Sequence, residues 1–170
     1  MQDLLFLLFS SMLTAASASA QTTYVRAGKL VDPASGTVRS DQLLFIEDGR
    51  IAAVGPFAPP PKGSIVTDWS AYTVLPGLID MHTHLVDTEQ SSNVAEPLLH
   101  SAAEIALLGA KHAKQTLNAG FTSVRDVGTF RAFGDVALRD AIDAGWVEGP
   151  RMMVAGAYLT VPGGGGEVTG

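Results

Sequence analysis

The chain has 170 residues, 46% of them hydrophobic and 16% charged, so it carries enough apolar side chain to bury a sizeable core. Its formal net charge is −6, and its 11 Lys and Arg are scattered, without the basic run that tracks a phosphate backbone, which argues against a general nucleic-acid binder. There is no cysteine, which removes disulfides, thiolate catalysis and Cys-ligated zinc together. Any metal must be held by histidine, carboxylate or another oxygen ligand.

Residues 1–20 read as an export signal. Leu4 to Leu13 is an apolar stretch leading into Ala18-Ser19-Ala20, a small-x-small cleavage pattern that leaves Gln21 as the mature start. Ten residues are too few for a bilayer, which needs about 20. We therefore expect an exported protein, periplasmic or secreted, with no stable membrane anchor. The leading Met1-Gln2-Asp3 departs from the signal pattern in lacking Lys or Arg.

Residues 21–73 have the grammar of a small all-β unit, expected to be part of a β-sandwich. Tyr24–Ala27 and Lys29–Val31 are strand-like and precede the turn cluster Asp32-Pro33-Ala34-Ser35-Gly36. Leu43–Glu47 and Arg50–Gly55 flank Asp48-Gly49, the dipeptide that best suits a two-residue hairpin, because both central positions need positive φ. Pro56 and Pro59-Pro60-Pro61 interrupt regular structure. Ile65–Thr67 and Tyr72–Val74 are expected as two further short strands.

From Val74 the pattern alternates between strand and helix. Leu78 to His84 is an apolar strand with polar residues at its end. Ala95 to Ala119 is helical by period, and Gly120 closes it. Phe121–Arg125 is a strand, Phe133–Ala144 an amphipathic helix closed by Gly145, and Arg151–Ala155 a third strand. Strand–helix–strand–helix–strand with short connections predicts a parallel sheet of α/β class. Val161–Gly170, with the run Gly163–Gly166, reads as a loop; a backbone cradle for a substrate carboxylate is the sharper alternative.

The chemistry is concentrated in Val74-Leu75-Pro76-Gly77-Leu78-Ile79-Asp80-Met81-His82-Thr83-His84-Leu85. Residues two apart in a strand share a face, so Asp80, His82 and His84 are expected on one side, with successive Cα atoms about 6.6 Å apart. Two neutral imidazoles can span that gap and meet one ion at about 2.0–2.1 Å. Alone, a His-x-His pair is weak evidence, since short motifs arise by chance.

The flanking residues carry more. Pro76 to Leu85 closely resembles the first-strand signature of the amidohydrolase superfamily, Ile46–Gly55 looks like that family's N-terminal β-sandwich hairpin, and Ala119–Gly128 is similar to its second strand. Imidazolonepropionase-like and Xaa-Pro-dipeptidase-like members look nearest. The resemblance implies a (β/α)8 TIM barrel begun by residues 74–170, which supply its first three strands. A whole barrel takes about 250 residues. The chain thus reads as an incomplete barrel, an N-terminal fragment of an enzyme, the competing expectation being a truncated, non-catalytic product.

The resemblance also implies a divalent-metal centre of one or two ions, zinc being the expected ion, with His82 and His84 as ligands. In the family, a metal-activated water attacks a C–N bond, and the other ligands are a lysine, two histidines and an aspartate that serves as general base. None of these is assigned here. The expected partner is a small molecule or dipeptide, with homo-oligomerisation of the full-length protein left open; no nucleic acid is expected.

Other polar residues have weaker claims. Asp80 is read either as a carboxylate orienting His82 or as one holding local backbone. Arg125 and Asp126 end the second strand, and an ion pair within the barrel is the favoured reading. His100 and His112 fall on the first helix and are expected to pack or face solvent, because barrel helices ring the outside. Tyr158 is left as a residue near the glycine run that could touch substrate.

Overall fold

A computed structural model describes residues 22–87, 96–162 and Gly164. The chain divides between Leu75 and Pro76 into two units. The expected signal segment, residues 1–20, lies outside the described residues, as does most of the Gly163–Gly166 run.

In the first unit, β1 (Thr22–Asp32), β2 (Thr37–Glu47), β3 (Arg50–Pro56) and β4 (Ile65–Val74) form one sheet in the order β3-β2-β1-β4. β1 pairs antiparallel with β2 and parallel with β4. The Asp48-Gly49 turn joins β2 to β3 with φ of 49° and 71°, the conformation its sequence favours. The described residues of this unit form one mixed four-stranded sheet.

The two short strands expected at Ile65–Thr67 and Tyr72–Val74 are one strand with a bulge. Ala27 pairs with Trp69 but Lys29 pairs with Thr73, so four steps of β4 oppose two of β1. Asp68 fixes the irregularity by accepting the Ser70 backbone N–H at 2.8 Å. Opposite it, a Cβ on Gly28 would lie 1.9 Å from the Ser70 carbonyl oxygen, so only glycine fits there. The same shift breaks strict alternation in β1: Val25, Ala27 and Leu30 pack on one face with Leu44.

The second unit alternates as its sequence predicts. β5 (Leu78–Thr83), β6 (Phe121–Asp126) and β7 (Arg151–Val154) form a three-stranded parallel sheet in that order. α2 (Ala102–Asn118) and α3 (Gly134–Asp143) contribute Ile105, Ala113 and Leu138 to one core with Val124 and Met152 of the sheet. Leu85 and Val86, the residues that follow β5, belong to that same core.

The single helix expected over Ala95–Ala119 is divided in two. A short α1 (Glu96–Leu99) stops, and Ser101 caps α2. The Ser101 hydroxyl accepts the Glu104 N–H, while the Glu104 carboxylate accepts the Ser101 N–H at 2.7 Å, a reciprocal capping box. The caps satisfy helix-end donors that a continuous helix would not expose. No helix among the described residues is long and apolar enough to cross a membrane.

Candidate metal centre

The loops after β5, β6 and β7 converge on His84. β5 does not keep simple alternation up to its end: Asp80 pairs with Val124 and Thr83 with Asp126, three steps against two. This bulge corrects the expectation that Asp80, His82 and His84 share one side, because Asp80 falls in register with the core residue Val124. Its carboxylate accepts the His82 backbone N–H at 3.0 Å, so it shapes local backbone rather than orienting the His82 ring. His82 and His84 flank Thr83, and their ring centroids lie 5.4 Å apart, nearly edge to face at 69°.

The proton on His84 can be placed. Its Nδ1 lies 2.7 Å from the Gly128 carbonyl oxygen, which can only accept. Nδ1–H is therefore the donor, and in the neutral ring this leaves the lone pair on Nε2, the form a metal ligand requires. The Tyr158 hydroxyl lies 3.0 Å from the same Nδ1 and donates to Gly128 O at 3.2 Å. Burial, aided by the negative charges of Asp87, Asp126 and Asp135, pushes the Tyr158 phenol up to about 12, so it keeps its proton at neutral pH.

The backbone beyond His84 is held on three sides. Asp126, 1% exposed, accepts the Leu85 N–H at 2.7 Å and the Gly128 N–H at 3.2 Å. His112 of α2 donates from Nδ1 to the Leu85 carbonyl at 3.0 Å. The buried Thr129 hydroxyl donates to the Val86 carbonyl. A buried peptide group left without a partner costs on the order of 1–3 kcal/mol, so these side chains fix where His84 stands. Burial raises the Asp126 carboxyl above its ordinary range, against the pull of its two amide partners.

These contacts replace several expectations. Asp126 binds two backbone amides, not Arg125 in an ion pair. Arg125 lies on the opposite face of the sheet, among Ile79, Met81 and Met153. His112 is a packing histidine, as expected, but it touches the residue after His84. His100 pairs with Glu96 at 3.4 Å across one helical turn, and its carbonyl accepts from Arg131. Tyr158 sits on His84 itself, a contact spanning 74 residues that no local pattern announces.

Two imidazoles with a free Nε2 on His84 suit part of a divalent-ion site, and neutral imidazole is a common ligand of such ions. Among the described residues no group of three or more His, Cys, Asp or Glu comes together to hold an ion.

Residues 73–168 match the model of the amidohydrolase family, and the chain belongs to that family. Members of this family are generally metal-dependent. Among solved structures, a Xaa-Pro dipeptidase with bound methionine in its active site is 33% identical with a TM-score of 0.78, over 87% of this chain and 36% of that one. A prolidase complexed with N-methylphosphonate-L-proline is 27% identical with a TM-score of 0.73, over 84% of this chain and 34% of that one. The ochratoxinase of Aspergillus niger is 31% identical over 162 residues, 92% of this chain and 32% of that protein. A dihydroorotase of Solibacter usitatus is 48% identical over 61 residues, 36% of this chain and 14% of that protein. The chain thus spans about a third or less of the length of these relatives. They are amidohydrolase barrels, in agreement with the α/β pattern of the second unit.

Proposed function

We propose that His82 and His84 are ligands of a divalent metal ion, zinc being the expected one, in an enzyme that hydrolyses the C–N bond of a small substrate. A dipeptide or an N-acyl amino acid is the proposed substrate class. The observation that carries this reading is the His84 Nδ1–H bond to Gly128 O, which leaves Nε2 free beside the His82 ring. The likeness to the Xaa-Pro dipeptidase and the prolidase supports the substrate class.

When bound, a divalent ion lowers the pKa of a coordinated water from about 15.7 to about 7 and polarises the scissile carbonyl. The chain's own residues hold the ligands for that chemistry. Gly128 O sets the tautomer of His84, Asp126 and His112 fix the Leu85 peptide, and Asp80 anchors the His82 backbone.

The likeness to dihydroorotases favours a second reading, hydrolysis of a cyclic amide such as an imidazolone or hydantoin, with the same metal chemistry. We further propose export on residues 1–20 and a small-molecule rather than a nucleic-acid partner, with homo-oligomerisation left open as a proposal for the full-length protein. The product of the complete reading frame, loaded with Zn²⁺, should hydrolyse members of a dipeptide and N-acyl amino acid panel and lose that activity on chelation. Turnover of cyclic amides alone would move the assignment to the second reading. Chelator-insensitive turnover would contradict both.

A further inference from the structure

His84 is reached from three loops, and the contact from the third has no equivalent at His82 among the described residues. Tyr158 follows β7, and its loop is anchored independently of the histidines. The fully buried Asp135 accepts the Gly156 N–H at 2.8 Å, while Phe133 N–H donates to Gly156 O at 2.6 Å. From that anchor the Tyr158 ring lies over Gly128, where a Cβ would stand 2.6 Å from the ring carbon Cε1. The absent side chain at Gly128 is what lets the phenol in. Its ring centroid is 6.0 Å from that of His84.

We propose that Tyr158 is a positioning residue that holds the His84 ring against the Gly128 carbonyl and so aims Nε2 at the metal. The inference rests on reading His84 as a ligand. A carbonyl oxygen has two lone pairs, and Gly128 O takes one bond from His84 and one from Tyr158. The phenol oxygen also stands within reach of the His84 Nδ1–H. Nδ1 therefore faces two oxygen atoms. The alternative tautomer would set its lone pair against the carbonyl, and a turned ring would abandon both contacts.

The test is Tyr158→Phe in the product of the complete reading frame, since Phe keeps the ring over Gly128 and removes only the hydroxyl. Zn²⁺ affinity is measured by competition with a chromogenic chelator, and the His84 ring ¹⁵N shifts are measured in metal-free protein labelled at histidine. We expect affinity to fall about 10- to 100-fold, the usual effect of losing a group that orients a ligand. The metal-free His84 ring resonances should shift and broaden as the ring gains freedom about Gly128 O, with the near-UV circular dichroism retained, a pattern that loss of packing would not give. Unchanged affinity together with an unchanged His84 spectrum would overturn the proposal, as would a wild-type His84 already in the Nε2–H form. A wild-type protein that binds no Zn²⁺ would instead defeat the ligand assignment, and the metal-free spectra would still decide whether Tyr158 holds the ring.

Discussion

Replacing Asp126 with Asn probes the frame of the site without changing its shape. The native carboxylate accepts two backbone N–H groups, those of Leu85 and Gly128, in a position 1% exposed. An amide side chain can accept with one end only, so one N–H would face an NH₂ donor. Losing a hydrogen bond to a charged group costs about 1.5–3 kcal/mol, and relief from burying that charge offsets part of it, for a net loss of about 1–3 kcal/mol. With a urea slope of about 1–3 kcal/mol per M, the unfolding midpoint should fall by about 1 M. The pH dependence has a definite sign. Burial raises the Asp126 pKa, so the folded state holds that proton more tightly than the unfolded chain. Asp126 therefore contributes a loss of stability as pH rises from the ordinary carboxylate range through its raised value, and Asp126→Asn should remove this component. Urea unfolding from pH 4 to pH 8 on both proteins is the assay. An unchanged midpoint at neutral pH would refute the role given to this carboxylate.

Two more substitutions test the packing around it. Gly128→Ala should weaken Zn²⁺ binding more than Tyr158→Phe does, because the new Cβ displaces the phenol and φ of +128° is strained for any side chain; chelator competition on both variants ranks them. Ile105→Ala, at a site 2% exposed in the core shared by Leu85 and Val86, should cost about 2–5 kcal/mol in urea unfolding. A cost under about 1 kcal/mol would mean that α2 does not support the His84 loop.

What the sequence disclosed was mostly local. The Asp48-Gly49 turn, the order of strands and helices after Pro76, and the pair His82 and His84 all follow from neighbouring residues, because turn chemistry and periodicity act over a few positions. The break before α2 was also written locally, in Ser101 and Glu104, but an apolar stripe running through it hid the cap. Other features depend on pairing between distant segments. The bulge that takes Asp80 off the histidine face exists only once β5 is laid against β6, and the Gly28 bulge only once β4 meets β1. Asp126, His112 and Tyr158 each act on His84 or its neighbour across 27 to 74 residues, and nothing in their immediate sequence marks them.

The central claim is that His82 and His84 hold a metal ion. Metal analysis of the product of the complete reading frame beside its His82→Ala and His84→Ala variants, each reconstituted with Zn²⁺ and desalted, tests it most directly. We predict bound zinc in the parent protein, a marked loss in both variants, and retention of the far-UV circular dichroism. Variants that keep the full zinc content of the parent would contradict the assignment.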